Sequence, residues 1–316
     1  MGHWLIPLLC PALIAGAPTW SSTGGKVKVI LDTDIGGDID DAFCLALALV
    51  CPEVELIGVT TSQGPTEAKA RIACRMLHLA GRDDVPVAVG RSSPSDYYPQ
   101  CKWGEGFTAK IPINQPAADF IIEHVRQAPG EVVLVVVGPE TNIMDALAKD
   151  PGIAPMVRGI ATMAGSAYVG YNLKPPPDPE FNIKMDVPAA QAMFTSGIPI
   201  RMAGLDITAM MRLEADQRAV LFSQKTPLTD ALEELYRLWG NETPILYDPV
   251  ALAWAFDRRF FGVKRSHIEV DAEGYTRVVG GLRPNAEVGV RPDARAFMRF
   301  YVDRIVTGCR NRALRR

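Results

Sequence analysis

Five carboxylates crowd one short stretch: Asp32, Asp34, Asp38, Asp40 and Asp41 in VILDTDIGGDIDDAF. The β-branched run before them reads as a buried strand, and the apolar residues after them recur at helical spacing. The aspartates therefore sit on a strand-to-helix turn. Like charges this close repel and raise one another's pKa, so a bound cation is the natural compensation. Every donor on offer is an oxygen, which suits Ca²⁺ or Mg²⁺ rather than zinc. Acidic residues also favour a helix N-terminus, but that accounts for one or two of them, not five.

Competing chemistries fit less well. An EF-hand loop needs Asp or Asn at Gly36 and Glu at Phe43. A haloacid-dehalogenase-type phosphatase also begins with a strand ending in DxD, as at Asp32 to Asp34, but wants Thr or Val where this chain has Gly36. No CxxC or HxxxH pair marks a zinc site. Of six cysteines, Cys10 lies in the N-terminal segment, and the other five have no disulfide-framework spacing. Cys44 and Cys74 fall in apolar helical patterns and read as buried thiols. His78 and His124 fall in helical runs and His267 in a strand-like one, so a histidine-based triad has little support.

The elements that must hold the turn follow from periodicity. VELIGVTTS is a second strand, EAKARIACRMLHLAGR an amphipathic helix closed by Gly81, and VPVAVG a third strand. AADFIIEHVRQAPG and EVVLVVVGP form another helix–strand pair, and NIMDALAKDP opens the next helix. VVLVVVG is apolar throughout, as in a strand covered on both faces. The alternation predicts an α/β fold: a doubly wound, mostly parallel open sheet, Rossmann-like, with helices on both faces. SHIEVDAEGYTRVVGG predicts a C-terminal antiparallel hairpin, and ARAFMRFYVDRIVTG a terminal helix. The Pro-rich YNLKPPPDPEFN is a loop at the C-terminal side of a strand, where open sheets place ligands.

The 316 residues are 48% hydrophobic and 22% charged, the balance of a globular chain with a large core. A net charge of −3 without a lysine-rich block argues against a nucleic-acid partner and for a small-molecule substrate. No low-complexity linker divides residues 26–312, which read as one domain. Residues 1–17, apolar and ending in Ala15 to Ala17, read as a secretory signal peptide, although no Lys or Arg precedes the apolar run. Pro7 and Pro11 and the short length argue against a membrane span. The implied location is secreted or periplasmic, or cytoplasmic if the segment is not a signal.

Five motifs in order, DTDIGGDIDDAF, GPETN, EFNIKMD, GLDIT and YDPVALA, resemble the inosine–uridine-preferring nucleoside hydrolase family. The resemblance runs from about Lys28 to the C-terminal helix. It implies Ca²⁺-dependent hydrolysis of the N-glycosidic bond of a ribonucleoside to ribose and free base, by a homo-oligomer, dimer or tetramer. It makes Asp34, Asp41, Asp248 and the Val137 carbonyl the metal ligands, with Asp34 also the base that activates water. Asp40, Asn172, Glu180 and Asn182 would hold the ribose hydroxyls. Breaking this bond passes through an oxocarbenium-like sugar, so nearby carboxylates stabilise the developing positive charge.

The departures bear on the mechanism. The Asp turn has two more residues than the family pattern, which leaves Asp38 as a substitute for Asp40 or an addition to the metal set. The loop before EFN is longer, and TTSQGPTEAKA offers only Gln63 where the family has an Asn. Two family histidines correspond to Tyr247 and Trp103. These aromatics suit stacking on a purine, so purine nucleosides are the expected substrates. Two other readings use the same residues: a hydrolase of another ribosylated small molecule, and a non-catalytic, calcium-bearing nucleoside- or ribose-binding protein.

Overall fold

A computed structural model describes residues 25–95 and 98–313. The segment read as a signal peptide lies outside them. The chain opens as strongly alternating strand and helix: β1 (Val27–Thr33), α1 (Asp40–Val50), β2 (Val54–Thr61), α2 (Thr66–Leu79) and β3 (Val87–Val89). Next come α3 (Cys101–Gly104), β4 (Ile113–Pro116), α4 (Ala117–Gln127), β5 (Val132–Val136), α5 (Thr141–Lys149) and β6 (Gly159–Thr162). After the Pro-rich loop follow α6 (Phe181–Met185), α7 (Val187–Thr195), β7 (Ile200–Met202), α8 (Leu205–Thr208), α9 (Ala215–Phe222), α10 (Pro227–Trp239) and α11 (Tyr247–Trp254). The chain closes with β8 (Phe261–Val270), β9 (Thr276–Val279), β10 (Ala286–Pro292) and α12 (Ala294–Ala313).

The strands form one ten-stranded sheet in the order β4-β3-β2-β1-β5-β6-β7-β10-β8-β9. It is parallel from β4 through β10, and β8 runs antiparallel to both β10 and β9. The chain winds outward in both directions from β1, which pairs with β2 on one side and β5 on the other. That makes the C-terminal end of β1 the point where the winding reverses, the place an open α/β sheet leaves a crevice.

Side-chain alternation explains the two-sided burial. In β5, Val133 and Val135 enter one core while Val132, Leu134 and Val136 enter the other. In β1, Val29 and Leu31 face the first and Ile30 the second. Both faces being covered, the strand needs no polar side, hence its continuous apolar run.

The C-terminal hairpin is present as β8–β9, but it does not stand apart. β10, which no periodicity in AEVGVRP announced, pairs with β7 and β8 and stitches the hairpin onto the main sheet. Among the described residues no helix is long and apolar enough to cross a membrane.

Candidate active site

The aspartate turn occupies the reversal point. Gly36 takes φ +109°, a backbone angle that favours glycine. From the neighbouring strand end the GPETN loop approaches so closely that a Cβ on Gly138 would lie 2.8 Å from the Asp34 amide nitrogen. These contacts bring Asp34, the α1 start and the Val137 carbonyl around one cavity of about 340 Å³.

The five aspartates do not act alike. Asp32 points away from the cavity lining. Its Oδ1 accepts from Thr60 Oγ1 at 2.5 Å and Asn142 Nδ2 at 2.6 Å, tying β1 to β2 and α5. Burial pushes its pKa up to about 7. Asp34, Asp38, Asp40 and Asp41 line the cavity with Asp248, which comes from the first turn of α11. One oxygen each from Asp40, Asp41 and Asp248 fall within 4.8 Å of one another, all buried. Desolvation first, then the charge of neighbouring aspartates, Asp34 and Asp38 among them, drives all three carboxyls well above the usual range. Such a trio offers the oxygen donors that a hard cation takes. It differs from the sequence expectation by holding Asp40, the intended ribose ligand, where Asp34 was expected.

Glu180 and Asn182 line the same cavity from the start of α6. Glu180 caps that helix: Oε1 accepts from Asn182 N at 3.0 Å, and Oε2 from Gly165 N at 2.9 Å and Ile183 N at 3.3 Å. Asn182 spends its amide hydrogens on the Val137 carbonyl at 3.0 Å and the Met163 carbonyl at 2.9 Å. Its own Oδ1 is the atom left for a hydroxyl.

Two sequence expectations, Asn172 and Trp103, land elsewhere. Asn172 is exposed, outside the cavity lining, and its Oδ1 accepts from Lys174 N at 2.8 Å within the Pro-rich loop. Its neighbour Tyr171 enters the cavity instead. Trp103 is buried in the core, its indole N–H on Glu234 and its ring under the Arg75 guanidinium at 4.2 Å. It packs α3 against α2 and α10 and does not face the cavity. Gln63, buried at φ 57°, accepts from Lys69 Nζ. Tyr247 does line the cavity, and Tyr98, Tyr171 and Phe181 join it. Tyr171 and Tyr247 meet edge to face at 6.5 Å, and the Tyr171 hydroxyl accepts from Phe181 N at 2.9 Å. Among the described residues no histidine lines the cavity. His78, His124 and His267 bond Asp83, the Phe120 carbonyl and the Arg283 carbonyl.

Sequence comparison decides the family. Residues 29–299 match the inosine-uridine preferring nucleoside hydrolase profile. The chain belongs to that family. The pyrimidine-specific ribonucleoside hydrolase RihA of Citrobacter koseri is 30% identical over 310 residues, covering 88% of this chain and 98% of its own. A plant nucleoside hydrolase of known structure superposes with a TM-score of 0.79 at 26% identity, covering 89% of this chain and 99% of its own. A purine-preferring ribonucleoside hydrolase from Gardnerella vaginalis gives 0.78 at 28% identity over the same shares. The chain is thus a nucleoside hydrolase, an enzyme that cleaves ribonucleosides with water.

Glu180 gives this hydrolase a measurable pH signature. Burial pushes its pKa from the usual 4.5 up to about 7, against the three amide hydrogen bonds that favour the charged form. A raised folded pKa means the protonated form is favoured on folding. The contribution is full below about 4.5 and is lost as pH rises to about 7, an effect of about 3 kcal/mol. Calorimetry of chelator-treated protein at pH 5 and pH 8 should therefore show a larger fall for the parent than for Glu180→Gln. Equal falls would place the titration elsewhere.

Proposed function

We propose that this enzyme hydrolyses ribonucleosides, purines preferred, to ribose and free base with Ca²⁺ held by the aspartate cluster. The observation that carries the reading is the single cavity shared by Asp34, the Asp40–Asp41–Asp248 trio, Glu180, Asn182 and the aromatic residues. A cation bound by the trio, with the Val137 carbonyl and Asp34, would orient the sugar hydroxyls and acidify water.

The chain's own groups supply the rest. Asp34 takes the proton from the attacking water. The Asn182 Oδ1 and the Glu180 carboxylate accept from the ribose hydroxyls. Asp34 and Glu180 line the same cavity, where their charge would stabilise the sugar carbon as it becomes positive, the more so in a low-dielectric site. Without a histidine, departure of the base rests on the aromatic lining. Burial and the neighbouring carboxylates hold the Tyr247 hydroxyl above its ordinary pKa, which makes it a weak proton donor. Stacking and edge contacts from Tyr171, Tyr247 and Tyr98 remain, and they favour the larger ring system.

A nucleoside panel with free ribose as the readout tests this. Inosine, adenosine or guanosine should be cleaved at least about fivefold faster than uridine, the low end of the ~1–3 kcal/mol per stacked base seen in nucleic-acid-binding proteins. Tyr247→Phe should retain most activity and Tyr247→Ala should not. If both fail equally, Tyr247 is an acid and the stacking reading is wrong. If uridine is the best substrate, the purine preference is wrong.

A further inference from the structure

A lysine is fully buried beside the proposed base. Lys69 lies in the first turns of α2 with no solvent exposure. Its Nζ donates to the Asp34 backbone carbonyl at 2.7 Å, to Gln63 Oε1 at 2.9 Å and to Asp34 Oδ2 at 3.4 Å. Those three acceptors use all three donors of the ammonium. The same group stands 5.3 Å from the centre of the Tyr98 ring, which lines the cavity.

Burying an ammonium is costly, and it persists only where fixed partners repay the lost hydration. Here the partners are one residue's carbonyl and carboxylate plus the side-chain oxygen of Gln63, which is itself buried. Asp34 needs such an anchor. It is the first residue beyond the β1 ladder, followed at once by Ile35 and the left-handed Gly36. The GPETN loop packs on one side of it and Lys69 holds the other.

We propose that Lys69, set by Gln63, is a positioning residue that fixes the backbone and carboxylate of Asp34 for water activation. Lys69 touches Asp34 through Oδ2 and so sets the direction of the remaining oxygen. The inference rests on Asp34 being the base. Gln63, outside the cavity lining, thereby acts behind it as the acceptor that orients the lysine.

The test is a mutant cycle on the calcium-loaded enzyme. Lys69→Met keeps length and apolar stem and removes the three hydrogen bonds. A misplaced base costs on the order of a hundredfold, so kcat should fall about thirty- to a hundredfold, with KM and inhibition by free ribose within about threefold. Gln63→Leu should lower kcat by about three- to tenfold in the same pattern. In an Asp34→Asn background, Lys69→Met should cost nothing further, because both act through one carboxylate. Undiminished kcat in Lys69→Met, a proportional rise in KM, or an additive loss in the double variant overturns the proposal. If Lys69→Met does not fold, Gln63→Leu decides alone, and parental kcat there overturns it. Full turnover in Asp34→Asn removes the base assignment itself, and this inference with it.

Discussion

Asp34→Asn is expected to fold, bind ribose and lose turnover by about a hundredfold or more, the usual scale for removing a general base. The substitution is nearly isosteric, and the two contacts that fix the residue survive it: the Lys69 bond to the backbone carbonyl and the close approach of Gly138. What goes is the charge that accepts the proton from water. Measured kcat should fall while the ribose inhibition constant moves little. The alternative carriers of that proton are few in the cavity. Asp38 is exposed at the rim, with Oδ1 already accepting from Ile39 N at 2.6 Å. Asp40 and Asp41 belong to the cation trio. Parental turnover in Asp34→Asn would move the base to Asp38. A covalent phosphoryl adduct on Asp32 would contradict the assignment more deeply, but Asp32 is 1% exposed and bonded on one oxygen to Thr60 and Asn142.

The reversal point and its aspartates were legible in the sequence because two signals coincide there: an apolar strand with no polar side, and a density of carboxylates no solvated turn needs. The alternation of strand and helix carried β1, β2, β3 and β5. What periodicity missed has physical reasons. β10 carries Glu287 and Arg291 and is interrupted by Gly289, where Ile207 of α8 packs closely against the backbone. β4 is four residues long and ends at a proline.

Site residues divide the same way. Glu180 and Asn182 sit on a helix start whose position a short motif specifies. Trp103 and Asn172 were assigned by correspondence in stretches whose length differs from the family pattern, and there a shift of one or two residues exchanges a lining side chain for a packing one. Tyr171, one residue before Asn172, took its place. Lys69 carried a readable signal. It lies on the stripe of α2 formed by Ile72, Ala73 and Met76, all fully buried, so a charge there had to meet a buried partner.

The largest expected effect on the protein as a whole is that of Asp41→Ala, which should weaken calcium binding by about a hundredfold or more, at or beyond the upper end of the 10–100-fold typical for losing a group that merely supports a metal ligand. Asp41 is 3% exposed in the first turn of α1, with Thr33 Oγ1 donating to one oxygen and the carboxylates of Asp40 and Asp248 beside it. In the metal-free protein these charges repel, and removing one relieves the repulsion. The variant should therefore melt higher than the parent when both are chelated. Added calcium should reverse the order. A ligand at a hundred times its Kd stabilises by about 2.7 kcal/mol, and at one fixed calcium concentration the parent gains that rise while the variant gains little. Elemental analysis of the parent should return calcium near one equivalent and no stoichiometric zinc. The two readouts separate a metal ligand from a structural aspartate. A structural residue, once lost, lowers the melting temperature with or without calcium, whereas a ligand that repels its neighbours does so only with it. A variant that melts lower than the parent in chelator, or that retains the parent's calcium-induced rise, would remove Asp41 from the metal site.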